Sequence, residues 1–488
     1  MKIFYNKRTA ALIVLLAFFA PSCKDFLEEN PRDRVAVSNY YKTEQDAISA
    51  VNAIYAHLNS QSGDTFGGAY FANFWITVGL ASDEMVNNHA GNVDADQLSN
   101  FTHSPENGII FDVWKQHYKA VTLANIAIER IPLIEMNETL RTRLVNEAKF
   151  LRGLLYFDLV RLFGSIPLLV REVEPITPEA ATVEQIYTQI IADLTDAEGL
   201  PAEQAEGRGR ATSGAAKALL AKVYLTRGEF DKAATKAKEV IDTGLYDLWD
   251  DFSDLYKIQN RGLKEAIFSV GFGDADGSII FWEAGQFHVR LLPAALTTAG
   301  ITSNTHGWQV PTPHLAASYS ALDERGPVTV FNEFKETVGS ETYDVTFDSY
   351  YFRKYWDVTN EGEFTTQKST QDFRILRYAD VLLMYAEALN EIGETDDAHD
   401  YLNEVRNRAG LDDLTGLSQD AFRDAVLEER RLEFAAEGQR WFDLVRTGKL
   451  EELVPLAKPG VIPQAKHYLF PIPQRERDVN PNLPQNDY

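Results

Sequence analysis

An internal repeat is the strongest indication of the fold in this sequence. Residues 221–237 read AKVYLTRGEFDKAATKA and residues 386–402 read AEALNEIGETDDAHDYL, and the two stretches align at a constant offset. In both, small residues recur where two antiparallel helices approach closely, and Gly228 or Gly393 ends the first helix. This pattern is typical of tetratricopeptide units. One copy would indicate only a generic helical hairpin, whereas two copies with matched spacing favour tandem repeats.

Helical periodicity extends over most of the chain. A capping box formed by Thr43 and Asp46 predicts the first helix. Apolar residues recur at helical spacing in eight further segments, 111–131, 140–163, 182–198, 213–227, 231–243, 373–392, 395–409 and 419–447. Strand-like alternation is clearest at 343–347. Periodicity fades between residues 250 and 370, and a stretch of that length without regular structure is usually functional.

The N-terminus has the layout of an export signal. Basic residues precede an apolar run at 10–20, which is shorter than the roughly 20 residues that a membrane-spanning helix needs. Cys23 is the only cysteine of the 488 residues, and the APSC segment that it ends resembles a bacterial lipobox. The alternative is an ordinary cleavage site beside a free thiol. We predict a lipoprotein signal peptide at 1–22 and a lipidated tether at 23–42.

Charge and motifs exclude several classes of function. The formal net charge is −25 at pH 7, which argues against nucleic acid because phosphates require a basic surface. The sequence lacks a nucleophile elbow, a zinc-protease motif and a phosphate-binding loop, although spacing alone leaves a glycosidase carboxylate pair open. Asn92, Asp94 and Asp96 begin like a calcium loop but lack its glycine and glutamate. We predict a protein that is not an enzyme and has no cofactor and no metal site.

The C-terminal region carries a family signature. Residues 427–450 read LEERRLEFAAEGQRWFDLVRTGKL. This run resembles the signature of the SusD/RagB family of Bacteroidetes outer-membrane lipoproteins, E-R-x-x-E-x-x-x-E-G-x-R-W-x-D-L-x-R. Segments 307–326, 375–393 and 468–488 resemble further motifs of the family. The resemblance covers nearly the whole chain.

The resemblance implies a fold and a role. The expected fold is mainly α and SusD-like, with tetratricopeptide-type hairpins packed against a loop-rich ligand-binding region. It comprises an N-terminal helical region at 43–250 and a C-terminal region at 251–488, which carries the irregular binding segment and the terminal helices. Family members at the outer surface capture oligosaccharides, and in some branches peptides, for a SusC-like TonB-dependent transporter. The resemblance therefore implies a surface lipoprotein of the outer membrane that binds glycans. The alternatives are an oligopeptide-capture protein of the RagB type and a surface scaffold that binds proteins through its repeats.

Two segments and one further tryptophan are candidates for the glycan site. Aromatic side chains stack on sugar rings, and polar side chains hydrogen-bond the hydroxyl groups. The candidates are Trp75, Asp83, Asn87, Asn88 and His89 in segment 71–92, Phe281, Trp282, His288 and Arg290 in segment 277–290, and Trp308. A core aromatic on a helix is the alternative for Trp75, and Asp83 has a structural alternative.

The charged residues of the signature have a structural interpretation. Glu433 and Glu437 fall one helical turn apart, and Arg440 and Asp443 are spaced similarly. We interpret these residues as an ion-pair network that braces the last helices, with Trp441 packed beneath it. The alternative is a catalytic or binding cluster.

Overall fold

The structure is a computed structural model that describes residues 40–59, 67–203, 209–273, 284–365 and 369–488. The α-helices are α1 Glu44–Asn59, α2 Asn73–Leu80, α3 Val93–Ser99, α4 Gly108–Arg130, α5 Glu138–Phe163, α6 Val183–Ala197, α7 Ser213–Thr226, α8 Phe230–Ile241, α9 Phe287–Leu291, α10 Ala294–Thr298, α11 Pro313–Ser318, α12 Gly326–Thr329, α13 Glu361–Phe364, α14 Tyr378–Glu391, α15 Thr395–Arg408, α16 Gln419–Glu433, α17 Arg440–Arg446, α18 Leu450–Ala457 and α19 Gln474–Val479. The strands are β1 Met85–Asn87, β2 Ala266–Val270, β3 Gln309–Pro311, β4 Val330–Phe334, β5 Thr337–Val338, β6 Glu341–Thr342, β7 Val345–Phe352 and β8 Phe373–Arg377. The prediction of a mainly α fold is confirmed.

The N-terminal export signal lies outside these ranges. The predicted signal peptide, Cys23 and the tether up to residue 39 fall among the residues that the structure does not describe, as do the candidates Phe281 and Trp282. Within the described ranges, no helix combines the length and the apolar character that a bilayer crossing requires.

Helices α4 to α8 and α14 to α16 form one continuous stack. Each helix from α4 to α8 packs on the next, α8 packs on α14, and α14 packs on both α15 and α16. The helices of the first predicted repeat begin at Ser213 and Phe230, and those of the second begin at Tyr378 and Thr395. The spacing between the starts of the two helices is therefore the same in both repeats. The helical repeat is therefore confirmed.

Small residues and side-chain caps account for this stack locally. The faces by which α7, α8 and α14 touch are rich in fully buried alanines, which let helix axes approach closely. The side chains of Asn107, Asn137, Thr182, Thr212 and Ser418 accept hydrogen bonds from backbone N–H groups at the starts of α4, α5, α6, α7 and α16. Each such cap stabilises a helix by about 1 kcal/mol.

Residues 242–377 form an insertion between α8 and α14. Its two ends are joined by the antiparallel pair β2–β8, in which Val270 lies opposite Phe373. Two further pairs, β4–β7 and β5–β6, lie within it, whereas β3 pairs with β1 from the N-terminal part of the chain. The insertion has its own apolar core, formed by Leu292, Leu296, Ile301, Val310, Phe331, Phe334, Phe347, Tyr351, Trp356 and Phe364. The strand predicted at 343–347 is confirmed in part, because β7 begins at Val345.

Two predicted helices are shorter than the periodicity indicates. Residues 373–377 form β8, so the helix predicted at 373–392 begins only at Tyr378. The helix predicted at 419–447 is two helices, because the chain leaves α16 after Glu433 and re-enters α17 at Arg440. Ala436 and Gly438 in this break have φ angles of 62° and 72°, in the left-handed region.

The break carries Glu437 away from the helix and into a buried ion-pair network. Glu437 pairs with Nε of Arg377 at 2.9 Å and with Nζ of Lys354 at 2.7 Å. Glu433 pairs with Nη1 of Arg325 at 3.0 Å, with Arg377 at 2.5 Å and with Arg408. Burial alone would raise the pKa of Glu437, but the Arg377 and Lys354 cations outweigh burial and lower that pKa to about 2.

This network confirms the structural interpretation of the signature. Glu433, Glu437 and Arg377 are all at most 2% exposed, and the partners come from segments far apart in sequence. Trp441 is 0% exposed and its ring centroid lies 4.8 Å from that of Phe470. The spacing argument was wrong in one respect, since Glu433 and Glu437 do not share a helix.

Candidate functional site

The β1–β3 pair brings two distant candidate segments together. The N–H of Asn88 donates to the Trp308 carbonyl at 2.7 Å, and the Asn88 side chain donates to the Gly307 carbonyl at 3.0 Å. Asn88 is exposed, whereas Trp308 and His89 are partly exposed. The pairing therefore places the polar end of segment 71–92 beside the tryptophan of the insertion.

Two imidazoles stack on the Trp308 indole. The rings of His89 and Trp308 lie 4.3 Å apart, centroid to centroid, and are inclined by 10°. The rings of His306 and Trp308 lie 4.6 Å apart and are inclined by 5°. The guanidinium carbon of Arg290 lies 5.2 Å from the Trp308 ring centroid, in the geometry of a cation–π contact. We call Trp308, His89, His306 and Arg290 the Trp308 cluster.

Arg290 has no polar partner in this cluster. Among the described residues its guanidinium group makes neither a hydrogen bond nor an ion pair, and its Nε is buried without an acceptor although part of the side chain is exposed. Burial lowers the pKa of Arg290 to about 10, and no carboxylate opposes this effect. The side chain is therefore a charged, partly desolvated donor at neutral pH.

Polar side chains of the neighbouring loop are engaged with one another. Asn87 donates to Asp96 at 2.7 Å and to the His89 carbonyl at 3.2 Å. Asn92 caps α3 by accepting from the N–H of Ala95, and Asp94 accepts from the N–H of Gly108 at 3.1 Å. The residues that begin like a calcium loop thus cap a helix and hydrogen-bond neighbouring segments. Throughout the described ranges, no group of three or more His, Cys, Asp or Glu side chains could hold a metal ion.

Comparison with known proteins shows what kind of chain carries this cluster. The sequence profile described as "SusD family" matches residues 333–488, and a profile described as "Starch-binding associating with outer membrane" matches residues 25–225. SusD-like protein P2 of Formosa agariphila is 33% identical over 520 residues, which cover 99% of each chain. The chain belongs to the SusD family.

Solved structures agree with this assignment. A laminarin-binding SusD-like protein matches this SusD-family chain with a TM-score of 0.76 and 28% identity, over 92% of this chain and 100% of the other. A SusD superfamily protein from Parabacteroides distasonis matches with a TM-score of 0.77 and 25% identity, over 93% and 100%. The SusD-like fold that the signature implies is therefore confirmed.

Two of the candidates lie in the core of the SusD fold. Trp75 is 1% exposed, and its ring stacks on that of Phe287 at 5.6 Å. His288 is 0% exposed, and its Nε2 lies 3.0 Å from the Tyr355 carbonyl oxygen. Neither side chain is accessible to a ligand, so the prediction that they contact one is wrong.

Asp83 is also structural rather than ligand-binding. It is 2% exposed and its carboxylate accepts two hydrogen bonds from Arg440, at 2.8 and 2.9 Å. Burial would raise the pKa of Asp83, but the Arg440 cation outweighs it and the pKa is lowered. The neighbouring Glu84 has no ion pair of its own, and burial together with the Asp83 charge raises its pKa to about 8. The prediction of ligand contact is wrong for Asp83.

The sequence argument missed His306. Its N–H donates to the Val289 carbonyl at 2.9 Å, which ties the loop before Trp308 to α9, the helix that carries Arg290. The available signal was a histidine two residues before a tryptophan in a segment without periodicity. The structure thus brings together His89, Asn88, Arg290 and Trp308, while the placement of Phe281 and Trp282 stays a prediction.

Proposed function

We propose that this SusD-family protein is a cell-surface lipoprotein that captures oligosaccharides and delivers them to a SusC-like TonB-dependent transporter. The observation that carries the proposal is the Trp308 cluster, in which aromatic rings and the Arg290 guanidinium group meet at a partly exposed surface. The similarity to a laminarin-binding SusD-like protein supports a carbohydrate as the ligand. The protein acts by binding rather than by catalysis.

The cluster suits the two-sided chemistry of a sugar. Each hydrogen bond to a hydroxyl group replaces one made to water, so its net contribution is only about 0.5–1.5 kcal/mol. Contact between the apolar face of a sugar and an aromatic ring adds to this. Because imidazoles already cover part of the indole, the sugar meets the outer imidazole faces as well as the Trp308 edge. Trp282 and Phe281 extend this platform in the proposal, and the exposed Asn88 supplies a carboxamide.

The anchor belongs to the same proposal. The description of the profile that matches residues 25–225 names association with the outer membrane, and the lone Cys23 follows an apolar run. Acyl chains contribute about 0.8 kcal/mol per buried CH₂, so a multiply acylated cysteine is a stable anchor. Cys23→Ala should release the protein into the soluble fraction or block its processing. Fractionation of this variant with membranes, as in wild type, would contradict the lipobox interpretation.

Calorimetric titration with a panel of oligosaccharides, beginning with laminari-oligosaccharides, tests the binding site. Trp308→Ala and Trp282→Ala should each weaken binding by about 1–3 kcal/mol, as for a modest hot spot, and leave the unfolding temperature nearly unchanged. Trp249→Ala is the matched control, because Trp249 is also partly exposed and has the Lys264 cation 5.5 Å from its ring, but lies outside the cluster.

Each outcome bears on a different part of the proposal. If Trp308→Ala and Trp282→Ala both keep wild-type affinity, the site is wrong while glycan capture stands. If no oligosaccharide binds but an unstructured peptide does, the protein is an oligopeptide-capture protein instead.

A further inference from the structure

Arg290 differs from the buried arginines elsewhere in the described chain. Those arginines fall into two groups, and the members of both have strong acceptors. Arg152, Arg325, Arg377, Arg408, Arg430, Arg431 and Arg440 form ion pairs with carboxylates. Arg261 and Arg374 donate to backbone carbonyls. Arg290 has a buried Nε, no acceptor among the described residues, and an aromatic ring as its contact.

Three described carboxylates from the segments that meet at the Trp308 cluster are engaged with other residues. Asp83 pairs with Arg440 and Arg431, and Asp96 accepts from Asn87. Asp348 accepts from the hydroxyl group of Tyr351, the residue whose ring packs against Gly307. None of them forms an ion pair with Arg290, and a partly desolvated cation without a counter-ion is energetically costly.

We infer that the Trp308 cluster binds a sugar ring that carries an anionic group, a carboxylate or a sulfate ester, with Arg290 as its counter-ion. This inference rests on the proposed function and names the chemical class of its ligand. The guanidinium group is a planar fork of N–H donors without an acceptor, and it matches two oxygens of such a group at once.

The net charge of the protein makes this counter-ion necessary. A formal charge of −25 repels anionic ligands over the surface as a whole, so an anionic sugar needs a dedicated cation where it binds. The stacked ring of His89 adds a polar group beside that cation, whereas Nε2 of His306 lies 2.9 Å from Oδ1 of Asn304 and is already engaged. The hydroxyl groups of a neutral sugar could bind the carboxamide group of Asn88. A neutral sugar would, however, leave the charge of Arg290 without a counter-ion.

The experiment compares ligands that differ only in charge. Full-length protein is titrated with oligoglucuronate and with the same oligomer after reduction of its carboxyl groups, and in parallel with sulfated laminarin and with laminarin. The inference predicts that at least one anionic probe binds about tenfold or more tightly than its neutral counterpart. Its affinity should fall as NaCl is raised, whereas the affinity of the neutral counterpart should not. The two arms distinguish a carboxylate from a sulfate.

Arg290→Gln and Arg290→Lys identify the residue responsible. Arg290→Gln should remove the preference for the anionic probe, so that the two members of a probe pair bind with affinities within about threefold of each other. Arg290→Lys should keep part of the preference, because it keeps the charge but not the fork. Arg475→Gln is the matched control, since Arg475 lies 4.9 Å over the Phe111 ring on an exposed surface outside the cluster. Arg475→Gln should keep the wild-type preference.

Stability separates a ligand-binding role from a structural one. Because the Arg290 guanidinium group has no hydrogen-bond acceptor and no carboxylate among the described residues, Arg290→Gln should leave the unfolding temperature unchanged or raise it. A large drop in unfolding temperature, or equal affinity for both members of each probe pair, would overturn the inference while glycan capture stands. Failure of all four probes to bind would overturn this inference, whereas the proposed function fails only if no member of the oligosaccharide panel binds.

Discussion

Two groups of arginines in this molecule differ in what faces their guanidinium groups. Around Glu433, Arg377 and Arg408 share carboxylates that are fully buried, and the ion pairs join segments far apart in the chain. In the Trp308 cluster, Arg290 faces an indole ring and pairs with no carboxylate of the described ranges. A charged residue that pairs with a buried opposite charge holds the fold together, whereas a charged residue without such a pair remains available to a ligand. Presence in a family motif does not separate the two kinds of residue.

Removing the shared carboxylate is expected to have the largest effect. Glu433→Ala should lower the free energy of unfolding by about 5 kcal/mol, the upper end of the range for breaking a buried ion pair, because three arginines lose a partner. Chemical denaturation measures this loss. Asp242→Ala, which removes the exposed pair with Lys238, should cost far less, because solvent screens the charges of an exposed pair. A loss of similar size in both variants would contradict the claim that the buried ion pairs of Glu433 stabilise the fold more than an exposed pair does.

Two uncharged residues, Trp441 and Trp308, show the same contrast between a side chain that stabilises the fold and one that is available to a ligand. Trp441→Ala should lower the free energy of unfolding by roughly 3–5 kcal/mol, as for a fully buried aromatic side chain, without altering the ligand preference. The partly exposed Trp308 should show the reverse, with weaker binding and little change in stability. Thermal unfolding and titration of both variants measure the two effects. Unchanged stability with lost binding in Trp441→Ala would reverse the structural assignment.

Glu84 is a buried carboxyl group without an ion pair, so its removal should stabilise the fold, whereas removal of the paired Glu433 should destabilise it. Its pKa is raised to about 8 from 4.5, so between these pH values the folded protein holds a proton that the unfolded chain has released. Stability therefore falls as the pH rises from 4.5 to 8. Glu84→Gln should remove this dependence and raise the free energy of unfolding by about 1–3 kcal/mol at pH 8, with little difference at pH 4.5. An equal difference at both pH values would show that Glu84 acts through packing instead.

Local patterns predicted most of the helical stack but not the break in the signature. Helices such as α4 and α5 are long and strongly periodic, and their ends lie within a few residues of the predicted ones. The break after Glu433 has no local cause that periodicity can register, because Glu437 is drawn to Arg377 and Lys354 from elsewhere in the chain. Periodicity therefore predicts a helix where contacts between neighbours along the chain decide the structure. It fails where partners distant in sequence decide it.

The candidate site was predicted only in part for the same reason. Trp75 and Trp308 both lie near polar residues in the sequence, and the difference between them arises in three dimensions. Phe287, from the insertion, covers Trp75, whereas His89 and His306 leave Trp308 at the surface. Arg290 is a candidate for its hydrogen-bonding capacity, but the lack of an acceptor for it among the described residues is visible only in three dimensions.

The contact between α8 and α14 sets an order of events during folding. Helices α4 to α8 need only near neighbours, whereas the next contact requires residues 242–377 to close into a loop first. Loop closure costs entropy that grows with loop length, and contacts distant in sequence form late. The side of α8 that packs on α14 therefore stays bare on a growing chain until residues 378–391 have been synthesised. During that interval this side of α8 is the part of the half-made stack most exposed to association with other chains.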